Sequence, residues 1–253
     1  MTVAGTRRTR GDRTSGSHPA PRRASRTRRL AGLAAAAALL LSGCGGLHPG
    51  AAAVVGSTTI GHESVDDLAA ALCTANVKGA QASGAPQDFA TRGTRQGALQ
   101  ILLDARLSHL FGEARGVEPD SALVSQALAQ NEPLIQALPA EQRDAYREAL
   151  REYASGQVML IEIGRQSLRE QGKTGVTDDE ALAEGQRLRQ KFVQDLDIEV
   201  DPRYGDYTNG TLKPGGSSLS VAESKSARAG DTAQPGPAFV AALPASQRCS
   251  SPS

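Results

Sequence analysis

The 253 residues carry 28 Lys and Arg against 27 Asp and Glu, a formal charge of +1 that conceals a strong asymmetry. Residues 1–43 hold nine arginines and one acid, so the 210 residues after them carry 19 basic and 26 acidic groups, a balance of −7. An acidic folded part, in a chain with 3% aromatics and no Trp, speaks against a nucleic-acid or anionic-membrane surface and against a stacking platform, which need clustered cations or aromatic faces.

The arginine-rich segment leads into Leu30 to Leu41, an apolar run too short to span a hydrocarbon layer of about 30 Å as a permanent helix. With the cationic stretch before it, the run reads as a signal-peptide core, and residues 1–43 as a signal peptide. It ends in Leu41-Ser42-Gly43-Cys44 followed by Gly45-Gly46, a pattern that resembles the lipobox of bacterial lipoproteins. That resemblance implies cleavage before Cys44 and a diacylglyceryl group on its thiol, and two acyl chains suffice for stable anchoring. The competing reading is an ordinary secretory peptide with an incidental cysteine. Thr27-Arg28-Arg29-Leu30 is also faintly similar to a twin-arginine export signal, though Ala31-Gly32 stand where bulky apolar residues belong.

Outside the cytosol thiols oxidise, and Cys73 and Cys249 are then the available intramolecular pair. A bridge across 176 residues would tack the tail onto the first helix; the bland alternative is two unrelated thiols. Residues 44–52 read as the lipidated cysteine and a Gly, Ala and Pro tether, and residues 53–207 as a mainly α domain. Ala53-Val54-Val55 and Thr58-Thr59-Ile60 are predicted as two short strands around Gly56-Ser57. Ser64-Val65-Asp66-Asp67 predicts a helix start with Ser64 as N-cap, and Lys78 to Gln87 a loop.

From about Phe89 the pattern is helical. Leu99, Leu102, Leu103, Leu107, Leu110 and Phe111 fall at three- and four-residue steps, as in a well-covered central helix. Gly116 stops it, Pro119 is placed in the first turn of the next helix, and Pro133 is expected to disturb that one. A longer helix is predicted from near Pro139 to about Gln171, with a seam at Tyr146, Leu150, Tyr153, Gln157, Leu160 and Gly164. Thr177-Asp178-Asp179-Glu180 reads as a capping box opening a helix through Leu188 and Phe192. Leu196, Ile198 and Val200 alternate with acids as a strand does. Its expected partner is the strand around Val54, which brings the two ends of the helical domain together. Residues 208–237 are expected to be a mobile low-complexity segment, and residues 238–253 a tail with a short helical turn at Ala238 to Leu243.

Chemistry is sparse. His62-Glu63-Ser64-Val65-Asp66 lacks the second histidine of a zinc-protease helix, and Asp195, Asp197, Glu199 and Asp201 lack the glycine and closing Glu of a calcium loop. His48 lies in the tether and His109 within the long apolar helix, where a structural role is expected. Asn209-Gly210-Thr211 is a formal glycosylation sequon read as a loop tripeptide. No nucleophilic elbow, phosphate loop or dinucleotide fingerprint occurs in the mature chain, so neither catalysis, a metal nor a cofactor is expected.

The order of parts resembles the N-terminal chaperone domain of the SurA/PrsA family of exported folding factors. The resemblance is carried by the strand pair at Ala53 to Ile60, the segment Ile101-Leu102-Leu103-Asp104-Ala105-Arg106-Leu107, Ala114-Arg115-Gly116-Val117-Glu118-Pro119-Asp120, and Ile198-Glu199-Val200-Asp201-Pro202-Arg203-Tyr204-Gly205. It covers about residues 53–207 and implies a helical cradle that holds non-native polypeptide. The family's parvulin isomerase domain has no counterpart, because only 46 residues follow Tyr207. The expected function is therefore an ATP-independent holdase, anchored in the bilayer through acylated Cys44 at the extracytoplasmic face, whose client-binding residues the pattern does not identify. The alternative is a non-catalytic scaffold or partner-docking lipoprotein; a solute-binding lipoprotein fits less well, since it needs two α/β lobes.

Overall fold

The computed structural model describes residues 48–85, 87–213, 224–230, 232 and 235–250. Cys44, the signal segment and residues 214–223 lie outside them. Five long helices and several short antiparallel strands occur among the described residues: β1 (Ala51–Val55), β2 (Thr58–Gly61), α1 (His62–Ala82), β3 (Phe89–Ala90), α2 (Thr91–Arg115), α3 (Ser121–Ala137), α4 (Ala140–Glu170) and α5 (Asp178–Val193). They are followed by β4 (Ile198–Val200), β5 (Asp206–Thr208), β6 (Thr211–Lys213), the short helices α6 (Lys225–Gly230) and α7 (Pro237–Ala241), and β7 (Arg248–Cys249). Among the described residues no helix is long and apolar enough to cross a membrane.

The two ends of the helical region meet in a small sheet of order β2-β1-β4. Ala53 faces Val200 and Val54 faces Glu199 in antiparallel register. The alternation of Ile198 and Val200 with Glu199 suits this edge strand, for one side of it covers the core and Glu199 stays in water. Strand β1 starts at Ala51, not at Ala53: Ala51 and Ala52, assigned above to the tether, already pair or pack, and Ala52 is fully buried.

Helix α1 also departs from expectation at both ends. It begins at His62 behind Gly61, with no side-chain cap, so Ser64 is not the N-cap. It runs to Ala82 through the segment expected as a loop, because Val77 and Ala80 are buried and hold that part of the helix. Gly116 ends α2 in the left-handed conformation, φ 65°, which glycine adopts without the Cβ penalty. The next helix is capped by Asp120, whose carboxylate accepts from Ala122 N at 2.8 Å; Pro119 precedes the cap and is not in the first turn. Pro133 does not break α3, which continues to Ala137. The capping box at Thr177 is present, with Thr177 N donating to Glu180 at 2.9 Å and Glu180 N to Thr177 Oγ1 at 3.3 Å.

Leu99, Leu103 and Leu107 of α2 are buried in a core shared with β1, α1, Tyr204 and Leu212. A second apolar cluster joins Phe111 to Leu160 and Ile163 of α4 and to Phe192, the two phenyl rings lying 5.3 Å apart. The buried face of α4 is not the expected aromatic and leucine seam alone. Tyr146, Leu150, Tyr153 and Gln157 are only partly buried, and the buried residues are Ala149, Ala154, Ser155, Gly156, Met159, Leu160, Ile163, Gly164 and Leu168. Small residues therefore set how closely α2 and α5 approach it. A side chain at Gly156 would come within 2.8 Å of Ser108 Cβ.

The segment after Tyr207 is also corrected. Residues 206–213 form the hairpin β5–β6, with Tyr207 opposite Leu212 and Leu212 buried, so a boundary at 207 would divide a folded unit. Asn209 and Gly210 occupy its turn with φ 53° and 84°, the pair that a tight two-residue hairpin requires. Beyond it, α7 and β7 return to the helices: β7 pairs with β3, Phe89 facing Cys249.

Candidate functional site

Asp104 stands inside the apolar run of α2, where a carboxylate must find partners. Arg189, one turn from the end of α5, supplies them. Its Nη2 donates to Asp104 Oδ1 at 3.2 Å, and its Nη1 to Ser108 Oγ at 2.8 Å and to the Asp104 carbonyl at 3.2 Å. Both side chains are largely covered, Asp104 being 22% and Arg189 15% exposed. Burial pushes the Asp104 carboxyl above its usual range, against the opposing pull of Arg189 and Gln100.

The pair forms the floor of a cleft of about 550 Å³ between α2, α5 and the β5–β6 hairpin. Gln100 clamps the hairpin to α2: its Nε2 donates to the Gly210 carbonyl at 3.1 Å and its Oε1 accepts from Leu212 N at 2.7 Å. Gln190 holds the same turn from α5, donating to the Asn209 carbonyl at 3.4 Å. Tyr207 forms one wall. Burial, and then the negative charge of Asp104, push its hydroxyl up to about 12, so it is a neutral donor across the ordinary pH range. The hydroxyl of Tyr207, the amides of Gln186 and Asn209 and the hydroxyl of Thr211 have no hydrogen-bond partner among the described residues, and all four residues line the cleft.

The cleft depends on how α5 is held, and Glu184 contributes to that. It accepts from Arg187 at 2.7 and 2.8 Å and, across to α4, from Ser167 at 2.8 Å and Gln171 at 3.3 Å. The hydrogen bonds from Arg187 come first in lowering its carboxyl to about 2. A folded value below the unfolded one contributes stability that is present above the ordinary 4.5 and is lost as pH falls towards about 2. Glu184→Gln should therefore flatten the decline of the denaturant midpoint between those pH values relative to the parent; identical acid limbs would show that Glu184 does not couple to folding.

Both histidines of the helices have structural partners. His62 Nδ1 lies 2.9 Å from Tyr204 Oη and its Nε2 lies 2.8 Å from Arg203 Nη2, while Arg203 is also paired with Asp201 at 2.7 Å. His109 is bonded to the Glu152 carbonyl at 3.2 Å. No group of three or more His, Cys, Asp or Glu that could hold a metal occurs among the described residues.

The structure joins Cys73 of α1 to Cys249 of β7, with Cα atoms 5.4 Å apart. Thr94 Oγ1 lies 3.5 Å from Cys249 Sγ, and Arg248 reaches Asp88 at 3.4 Å. Apolar surface is scarce by contrast. Leu123 on α3 is the one large apolar side chain that is exposed among the described residues, at 49%. Helix α3 packs mainly on α4.

Cys44 lies outside the described residues. The cleft residues escaped the sequence reading, although one signal was present: Asp104 interrupts an otherwise apolar helical face. Comparisons with protein-family models, with curated proteins and with solved structures find no match for this chain.

Proposed function

We propose that this chain is an exported lipoprotein without catalysis of its own, anchored at the extracytoplasmic face through Cys44, that holds exported polypeptides without ATP. The observation that carries the polypeptide-binding part is the exposure of Leu123 on α3. That helix packs mainly on α4 and presents Leu123 to solvent, an apolar contact point for a client chain. The strand-bracketed layout, with β1 and β4 closing the ends of the helical region, is in keeping with the resemblance to the chaperone domain.

A second reading, a scaffold that docks one envelope partner, is favoured by the same survey of the surface. With Leu123 alone exposed among the large apolar side chains of the described residues, the area available to a collapsed client is small. Purified residues 45–253 separate the two. A holdase slows aggregation of a reduced or denatured client at low ionic strength without nucleotide, and Leu123→Asp reduces that protection at equal protein concentration. No protection across several clients supports the scaffold.

A further inference from the structure

We propose that the cleft between α2, α5 and the β5–β6 hairpin is a binding site for a neutral saccharide unit, an inference independent of the holdase reading. Its volume of about 550 Å³ falls within the span of small-molecule sites. Its lining decides the ligand class. Among the described residues that line it, Ala183 and Val193 are the only aliphatic ones, so an apolar ligand finds little counterpart.

An anion is disfavoured because both arginines of the cleft are already neutralised, Arg189 by Asp104 and Arg187 by Glu184. A cation finds a single lining carboxylate, and Arg189 holds it. What remains is a set of uncharged groups that can both donate and accept: the amides of Gln186 and Asn209 and the hydroxyls of Tyr207 and Thr211. A sugar hydroxyl is likewise donor and acceptor at once. Hydroxyls around a ring can engage several of these uncharged groups at once, and the Tyr207 ring adds an apolar edge to the lining.

The hydroxyl of the partly buried Tyr207 has no described partner and belongs to the cleft lining, so a ligand that accepts from it adds a hydrogen bond. The turn that carries Asn209 is already fixed by Gln100 and Gln190, which lowers the ordering cost of binding. Hydrolysis does not follow, because glycoside cleavage uses two carboxyl groups flanking the bond and the cleft lining contains one.

The test is titration of the mature chain with chitotetraose and maltotetraose, followed by calorimetry and saturation-transfer NMR. At least one should bind saturably in the millimolar range. Loss of one neutral hydrogen bond in Tyr207→Phe, or of one exposed amide in Gln186→Ala, should weaken it by about 3- to 10-fold, while Leu123→Asp on α3, outside the cleft lining, leaves it unchanged. Unaltered thermal unfolding of both variants keeps the comparison sound. The proposal is overturned by the absence of saturable binding of either sugar, by affinity that both cleft variants leave intact, or by binding of triglycine in place of the sugars. Loss of aggregation protection with sugar binding retained would instead remove the holdase reading alone.

Discussion

Gly164→Ala should be among the most damaging single-methyl substitutions in the protein. A Cβ built on Gly164 overlaps the carbonyl oxygen of Ala181 and lies 2.7 Å from Gly185 N, and one built on Gly185 overlaps the carbonyl of Leu160. The atoms in the way are backbone on both sides, so no rotamer change relieves the overlap and α4 and α5 must move apart. Overpacking a core that can shift its side chains costs about 1–3 kcal/mol; here relief requires separating two helices, and the upper end or beyond is expected.

That cost opposes the roughly 1 kcal/mol by which alanine outranks glycine in a helix interior. A net loss of about 2 kcal/mol or more should lower Tm by at least about 4–8 °C for a domain of this size. The comparison is Gly97→Ala in α2, where a Cβ meets nothing within 4 Å; it should raise stability by about 0.5–1 kcal/mol. Equal Tm changes for the two variants would show that the α4–α5 crossing is not held by backbone contact. Because Arg189 lies on α5 and Asp104 on α2, the Gly164 variant should also lose the cleft.

The second large effect is expected at the tail. A bridge across 176 residues removes unfolded-chain entropy worth about 5 kcal/mol in the loop-closure treatment, native strain aside. Without it, β7 is held by a two-residue pairing with β3, the Arg248 to Asp88 contact at 3.4 Å and the burial of Val240. These are weak attachments. The Cys73→Ser, Cys249→Ser double variant should unfold several kilocalories per mole below the parent, and its residues 237–250 should lose amide protection before the helices do. Dithiothreitol should bring the parent to the stability of the double variant. Full protection of the tail in the absence of the bridge would show that packing alone retains it.

Much of the architecture is written in local patterns. The capping box at Thr177, the glycine stop at Gly116 and the apolar steps of α2 are short-range signals, and each lies where the structure uses it. The pairing of β4 with β1 was also legible, since an alternating strand needs a partner and the chain offers few. Three things were not. The extension of α1 past Lys78 depends on the tertiary burial of Val77 and Ala80, which overrides a polar, glycine-containing composition. The close approach of α4 and α5 depends on Gly164 meeting Gly185; Gly164 has a place in the predicted seam, but its partner Gly185 carries no periodic signal that would pair the two. The cleft gathers Asp104, Arg189 and Tyr207 from three elements, a juxtaposition that only folding creates.

The placement of the whole molecule in the cell rests on Cys44. The direct measurement is intact and N-terminal peptide mass spectrometry of the chain recovered from membrane and soluble fractions of the cells that make it. A lipid-anchored protein yields a mature N-terminus at Cys44 bearing a diacylglyceryl group in the membrane fraction, and Cys44→Ser abolishes the modification and moves the chain out of that fraction. Recovery of the unprocessed chain, arginine segment intact, from the cytosol would contradict it.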